Sequence, residues 1–271
     1  MIGLGSIGQR HLKNLKKIFP RAVFYAYRKK NKNLVIQDVK IKKKTNLQKY
    51  YKLKIINNLK KALKIKPNIT FICNPSIFHY RDATLFAKQG SHVFIEKPLY
   101  ASDTEAKKLI KILDRKKLVS MIGYQLRFHP VIKIVKKIIS KKKYGNIISA
   151  NFNNLTYLPS HHPYEDYSLG YAARKKLGGG AISSLIHEID LIAFFFGFPT
   201  KVYGYKILSK ILKLNVDDNV SAILSYNNKN RFKVTLNLSF THVAEERGFK
   251  ILFKKSILFV DLIKNKLAVY C

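Results

Sequence analysis

Gly3-Leu4-Gly5-Ser6-Ile7-Gly8, with Leu12, Leu15, Ile18 and Phe19 behind it, is the stretch on which the fold turns. The apolar positions recur at helical spacing, so the glycines sit at a helix start. Glycines so placed allow a tight turn, a close backbone approach to a pyrophosphate, and phosphate binding on the helix N-terminus. The pattern alone is a weak signal. The helix behind it and a strand-like run at Val23 to Tyr27 favour dinucleotide binding over a plain turn. Two features fit poorly. Such a loop follows a central strand, and only Met1-Ile2 precede Gly3. The acidic residue expected about twenty positions onward, to hold a ribose 2′-hydroxyl, is Arg28. With Lys29, Arg28 would instead suit a 2′-phosphate.

Working outward, strands and helices alternate to about residue 123. After a basic, weakly patterned stretch to about Lys54, the apolar spacing predicts a helix over Leu59 to Ile65. A short buried-type strand follows over Ile69 to Cys73, closed by Asn74-Pro75. A helix over Asp82 to Lys88 ends at Gly90 as a C-cap would end it. His92 to Ile95 reads as the next strand. Ser102 or Asp103 is placed to cap a helix through Leu113, and Leu118 to Ile122 is another strand. This alternation predicts a doubly wound parallel sheet. Beyond it comes a helix over Val131 to Ile139, then strand-like runs at 147–158, 201–208, 219–226, 231–242 and 249–260. Turns such as Asn227-Asn228 join several of these, so a large, mostly antiparallel open sheet is expected. A helix over Ala181 to Phe196 is also expected. The fold class is therefore α/β, with a dinucleotide-binding domain over 1–123 and an α+β domain over 124–271.

Composition narrows the function. With 271 residues, 47% of them apolar, the chain can bury a sizeable core. Cys73 and Cys271 are its only cysteines, which gives no disulfide framework. No apolar run reaches eighteen residues, so no membrane span is expected, and the N-terminus does not read as a signal peptide. The formal charge is +37, which raises nucleic acid as a partner. Against that, the basic residues are 43 Lys and only 9 Arg, and they are spread along the chain. Phosphate and base recognition favours the Arg fork, so the charge reads as solvated surface and no specific nucleic acid is expected. Residues 144–200 depart from the spread: Lys175 and Lys176 are their only lysines, while Glu165, Asp166, Glu188 and Asp190 fall among them.

Two constellations carry chemistry. Glu96-Lys97-Pro98 closes a parallel strand at its carboxyl end, where ligands bind in open α/β sheets. Lys97 there is placed to hold a substrate hydroxyl and relay its proton, the alternative being one more surface lysine. Gly178-Gly179-Gly180 precedes Ser184, His187 and Asp190, whose spacing of three sets them along one helix face. His187 suits general-base work near neutral pH; a satisfied buried histidine is the competing reading. His and Asp so spaced lack a third ligand, so no metal is expected.

Taken together, these residues resemble the Gfo/Idh/MocA family of NAD(P)-dependent oxidoreductases. The resemblance rests on Gly3 to Gly8 with Arg10-His11, Asn74-Pro75 with His79, and Gly90 through Glu96-Lys97-Pro98. It continues through Gly123-Tyr124-Gln125-Leu126-Arg127-Phe128 and the segment from Gly178 to Asp190. His162-Pro163-Tyr164-Glu165-Asp166-Tyr167 with Tyr171-Ala172-Ala173-Arg174 looks like a branch associated with surface-polysaccharide sugar metabolism. The resemblance implies a cytoplasmic enzyme that transfers hydride between NAD or NADP and a secondary alcohol or ketone of a sugar or nucleotide sugar. It implies that Lys97 orients the substrate hydroxyl and His187 is the acid/base. Gly3, Gly5, Ser6, Ile7, Gly8, Arg28, Asn74, Pro75, His79, Glu96 and Lys97 would line the cofactor. Tyr124, Arg127, His162, Tyr167, Ser184 and Asp190 would face the substrate. It also implies a homodimer or homotetramer built through the C-terminal sheet.

The match has departures. The family's usual aspartate three residues before the histidine is Ser184, whose hydroxyl cannot supply the carboxylate's charge; either His187 is less basic, or Asp190 or Glu188 compensates. The first strand is nearly absent and the chain stops before a closing helix, so a truncated chain is expected. A catalytically weakened dinucleotide-binding protein with a regulatory or assembly role is the alternative, and a nonspecific nucleic-acid binder the more distant one.

Overall fold

The computed structural model describes residues 1–28, 33–37, 40–227 and 231–271. Lys29 and Asn228 of the readings above lie outside the described residues. The chain forms two compact units, one of residues 1–123 with 161–171 and 176–178, the other of 124–160, 172–175 and 179–271.

The first unit runs α1 (Ser6–Ile18), β1 (Tyr25–Tyr27), β2 (Leu34–Gln37), β3 (Lys40–Lys44), α2 (Leu47–Tyr50), β4 (Lys54–Ile56) and α3 (Leu59–Lys64). It continues with β5 (Ile69–Ile72), α4 (His79–Lys88), β6 (His92–Ile95), α5 (Asp103–Arg115) and β7 (Ser120–Ile122). β1 pairs with β4, β5 with β6 and β6 with β7, all in parallel. Ile2 joins the two groups, bridging in parallel to Tyr27 on one side and Ile72 on the other. The main chain at Met1 to Gly3 bonds to both flanking strands: Ile2 N donates to Phe71 O at 2.7 Å and Gly3 N to Tyr27 O at 3.0 Å. The two residues before the glycine loop thus do the pairing of the central strand, giving the order β4-β1-Ile2-β5-β6-β7.

Adjacent residues of β1 bury into different clusters, which is the mark of a sheet covered on both faces. Ala26 packs with Leu4, Leu12, Val35, Leu47 and Leu53, whereas Tyr27 packs with Ile2, Ile72, Phe86, Val93, Ile95, Leu109 and Leu113. Ser102 caps α5 in a capping box with Glu105, which satisfies two end donors reciprocally. The stretch read as weakly patterned holds the antiparallel hairpin β2–β3, then α2 and β4. Its strands are too short for a periodicity, and β4 owes its state to pairing with β1. α4 starts at His79, three residues before the expected Asp82, because a 3₁₀ turn over Ser76–Phe78 leads into it.

The second unit carries α6 (Pro130–Ser140), β8 (Ile147–Tyr157), α7 (Ala181–Ser184), α8 (His187–Phe196), β9 (Lys201–Ile207), β10 (Asn219–Asn227), β11 (Arg231–Ser239), β12 (Thr241–Phe253), β13 (Ile257–Asp261) and β14 (Lys266–Tyr270). Its seven strands lie in the order β14-β13-β12-β8-β11-β10-β9. All neighbours are antiparallel except β8 and β11. Strict alternation along β8 buries Ala150, Phe152, Asn154 and Thr156 on one face. There the Phe152 ring stacks on Phe249 at 4.7 Å and meets Phe195 of α8 at 6.3 Å. The other face carries a polar ladder, in which Asn151 donates to Thr235 at 2.7 Å and Asn237 to Asn153 at 3.1 Å.

Two expectations are corrected here. The run at 249–260 is a hairpin, the end of β12 and β13 turning at Lys254-Lys255-Ser256. The helix expected over 181–196 is two helices, α7 and α8, separated at Leu185-Ile186. Apolar spacing ran through this break. Asp217 supplies what the spacing did not show: its carboxylate accepts from Ile182 N at 3.1 Å and its carbonyl from Ala181 N at 2.9 Å, fixing the start of α7.

Candidate functional site

The glycine loop belongs to the first unit. Gly3 has φ +89°, and a Cβ there would lie 2.7 Å from Cys73 O. At Gly8 a Cβ would lie 2.6 Å from Gly3 O, so both glycines serve close packing of the loop on the end of β5. Gly5 differs. Nothing lies within 4 Å of a Cβ built on it, so the space in front of α1 is open. Gly5 is the N-cap of the thirteen-residue α1, with no side-chain cap and no acid in the first turn. First-turn N–H groups, which have no acceptor within their own helix, and the positive helix end make that space a fit for a pyrophosphate.

Asn74, just beyond β5, adds a second sign of fit. Its Nδ2 donates to Asp82 Oδ2 at 2.6 Å, and its Oδ1 is buried with no hydrogen-bond partner. A held acceptor of this kind suits a donor such as a ribose hydroxyl. Arg28 follows β1 and is 8% exposed; burial draws its guanidinium below the ordinary value. Its backbone N donates to Ile56 O at 3.1 Å.

Glu96 and His79 both make contacts within the first unit. His11 Nε2 lies 2.6 Å from Glu96 Oε1, and the backbone N of Lys97 donates to Glu96 Oε2 at 3.3 Å. Glu96 therefore ties α1 to the end of β6. The His11 ring meets Phe94 edge-on at 4.9 Å. Both ring nitrogens of His79 face main-chain carbonyls. Lys97 is half-buried at the carboxyl end of β6. Cys73 is buried, and its thiol is pushed up by burial first and by the nearby Glu96 charge second.

Residues 161–171 cluster with this first unit, bringing His162 and Tyr167 to it. Tyr164 was not singled out by its residue type. Its hydroxyl lies 3.2 Å from His162 Nδ1, and it is hydrogen-bonded to Ser6 of the glycine loop. Burial lowers the His162 imidazole, an effect that Glu165 opposes.

The second unit holds Tyr124, Arg127, Ser184, His187 and Asp190. Ser184 ends α7 and His187 starts α8, both buried. Tyr124 meets the His187 ring edge-on at 6.2 Å. Burial raises the Tyr124 phenol, Asp190 adds to this and Arg127 opposes it. Arg127 grips Asp190 in a fork, Nε to Oδ2 at 2.9 Å and Nη2 to Oδ1 at 2.5 Å. The hydrogen bond to Asp190 holds the Arg127 guanidinium above its ordinary value. Glu188, 1% exposed, accepts from Arg247 Nε at 2.8 Å and from Asn154 Nδ2 at 2.8 Å. Asp190 and Glu188, the residues expected to stand in for a missing aspartate, are thus each committed to an arginine. Residue pattern alone did not reach Arg247 or Asn154, because their partner lies 59 and 34 positions away.

Among the described residues, no cluster of three His, Cys, Asp or Glu side chains is placed to hold a metal ion, and no single helix is long and apolar enough to cross a membrane.

Residues 1–124 match the oxidoreductase family with an NAD-binding Rossmann fold known as GFO/IDH/MocA, and residues 132–258 match a GFO/IDH/MocA C-terminal domain. The WlbA dehydrogenase of Bordetella pertussis, solved with NADH and UDP-GlcNAcA, superposes with a TM-score of 0.82 at 20% identity, over 98% of this chain and 74% of that one. The UDP-N-acetylglucosamine 3-dehydrogenase GnnA of Acidithiobacillus ferrooxidans superposes with a TM-score of 0.75 at 21% identity, over 99% and 78%. In sequence, an uncharacterized Bacillus subtilis oxidoreductase, YrbE, is 25% identical over 75% of this chain and 55% of its own length. The A. ferrooxidans UDP-N-acetylglucosamine 3-dehydrogenase is 26% identical over 77% of this chain. That match takes in 60% of the relative, so the chain spans little more than half the length of these two proteins.

Proposed function

Because the chain belongs to the GFO/IDH/MocA family of NAD-binding oxidoreductases, we propose that it transfers hydride between a nicotinamide dinucleotide and a secondary alcohol or ketone of a sugar or nucleotide sugar. The observation that carries this is the open, uncapped N-terminus of α1 behind Gly5, in a parallel sheet with Lys97 at the carboxyl end of β6. Bound there, the cofactor supplies the hydride chemistry. The first-turn N–H groups of α1 hold its pyrophosphate and Asn74 Oδ1 accepts from a ribose hydroxyl. Arg28 follows β1, where the ribose of the dinucleotide would be read, and the cofactor is NAD or NADP; the WlbA dehydrogenase, solved with NADH, supports trying NAD first. Lys97 orients the substrate hydroxyl, and His187 takes or returns its proton. Tyr124, Arg127, His162 and Tyr167 contact the sugar or its phosphates. The names of the relatives support a uridine diphosphate sugar as the first substrate to try.

Thermal unfolding with NAD, NADH, NADP and NADPH in parallel tests the cofactor half. A ligand at a hundred times its dissociation constant stabilises the fold by about 2.7 kcal/mol, a readable shift. No shift with any of the four, in a sample that unfolds cooperatively, would remove the cofactor reading. Turnover of UDP-N-acetyl sugars, followed by nicotinamide absorbance, tests the rest. A dinucleotide-binding protein with weakened catalysis is the second reading, favoured by Ser184 and by the commitment of Glu188 and Asp190 to arginines. It predicts the thermal shift without turnover.

A further inference from the structure

His79 opens α4 and is 1% exposed. Its Nδ1 lies 2.6 Å from Pro98 O and its Nε2 lies 2.7 Å from Asn74 O. Carbonyl oxygens accept hydrogen bonds and never donate them. A neutral imidazole has one N–H and one lone pair. In either tautomer, a ring lone pair would then face a carbonyl lone pair at one of these two contacts, a repulsive arrangement. Only the imidazolium donates at both ends.

We propose that His79 is held as a buried imidazolium that straps the turn after β5 to the turn after β6, and so acts as a positioning residue for Lys97. The two strapped carbonyls sit at informative places. Asn74 adjoins the glycine loop, since a Cβ on Gly3 would lie 2.9 Å from Asn74 N. Pro98 directly follows Lys97. One ring therefore couples the neighbour of the phosphate loop to the residue that carries the lysine. Charged hydrogen bonds are stronger than neutral ones and hold their geometry more tightly.

The charge needs compensation, because burying an unpaired cation is costly and the N-terminal end of α4 opposes a positive charge. The carboxylate on that first turn is Asp82, fully buried three residues on and shared with Arg81. It is held in place by Asn74 Nδ2 at 2.6 Å and by Arg81 Nη2 at 2.7 Å. Asn74 is thereby gripped twice, at its carbonyl by His79 and at its amide by Asp82. The short contacts at His79 and the bracing of Asn74 are consistent with one purpose, a rigid pair of turns.

The lysine part of this inference rests on the reading of Lys97 as the residue that orients the substrate hydroxyl; the strap itself does not. Nitrogen NMR of the ¹⁵N-histidine-labelled full chain at pH 7.0 reads the charge directly, with the His79 signals assigned by their loss in His79→Gln. Two protonated ring nitrogens are expected, and a single protonated nitrogen would overturn the proposal. Hydrogen exchange reads the strap. His79→Gln should raise exchange in peptides covering 72–78 and 96–101 about tenfold, leaving the rest of the first unit within twofold. A uniform rise would mean only a structural core residue and would overturn it. If His79→Gln fails to fold, the wild-type nitrogen spectrum, assigned instead by subtraction with single variants of the other seven histidines, still decides the charge.

With turnover in hand, His79→Gln should lower kcat about tenfold with the dinucleotide KM within twofold. In a Lys97→Met background it should lower kcat no further, and fully additive losses would overturn the coupling to Lys97. Absence of turnover in the wild type would count against the enzyme reading, while the spectrum and the exchange pattern would still decide the strap.

Discussion

Single residues in this chain divide by whether their partners are buried. Arg247 is the clearest case, because Glu188 keeps only Asn154 if the arginine is removed. Arg247→Ala should cost about 3 kcal/mol, read as a lower urea midpoint with unchanged slope. The exposed Lys107–Asp103 pair is 2.6 Å long but solvated on both sides, so Lys107→Ala should change stability by less than about 0.5 kcal/mol. Tyr226 gives a pH signature. It is 2% exposed, burial pushes its phenol up to about 12, and its hydroxyl donates to Gly197 O at 3.1 Å. A raised acid favours the neutral form in the folded state. Its stabilisation is therefore complete below about pH 10 and is lost as pH climbs from there through 12. Urea titrations from pH 9 to 12 should show a steeper loss for wild type than for Tyr226→Phe; parallel curves would refute this.

At the scale of elements, the glycine loop separates packing from binding. Gly3→Ala and Gly8→Ala should both destabilise, since each new Cβ meets main-chain oxygen at under 3 Å. Gly5→Ala should leave the melting temperature within a few degrees, because Gly5 has φ −75° and open space around it. In the proposed cofactor site the new methyl group would crowd the pyrophosphate, so the dinucleotide-induced shift should shrink or vanish. A Gly5→Ala protein that keeps the full shift would show that the cofactor does not bind at this helix end. In α5, Ser102→Ala removes the capping box and should cost about 1 kcal/mol.

For the whole molecule, charge and the exposed strand matter most. A net +37 repels itself, so the melting temperature should rise with salt as the charges are screened. DNA binding at low salt should be indifferent to sequence and fall steeply between 50 and 200 mM salt; sequence preference that survives higher salt would revive nucleic acid as a partner. β9 is exposed along its length, with Val202 at 60%, Tyr203 at 61% and Tyr205 at 74%. If two copies pair through this sheet, as the family resemblance implies, Tyr205→Glu lowers the sedimenting mass of the oligomer.

Local order in this protein was legible wherever it is set by neighbours along the chain. The glycine spacing placed the start of α1, the apolar run His92 to Ile95 matched β6, and the cap of α5 was narrowed to Ser102 or Asp103, of which the structure uses Ser102. Periodicity and capping act over a few residues, so a linear reading can recover them. Pairing across long separations was not legible. Two residues, Met1 and Ile2, complete the centre of a parallel sheet because β1 and β5 lie on either side of them. β8 and β11 run parallel within an otherwise antiparallel sheet, and Asp217 and Arg247 reach helix starts far from them in sequence. Hydrophobic pattern states which face a residue buries, but it carries no record of which distant atom will meet it there. The sequence by itself therefore determined the fold class, the family and the types of residue at the candidate site. Only the tertiary structure decided which carboxylates are already neutralised by arginine and which carbonyls claim both nitrogens of His79, because those assignments depend on distances that folding alone creates.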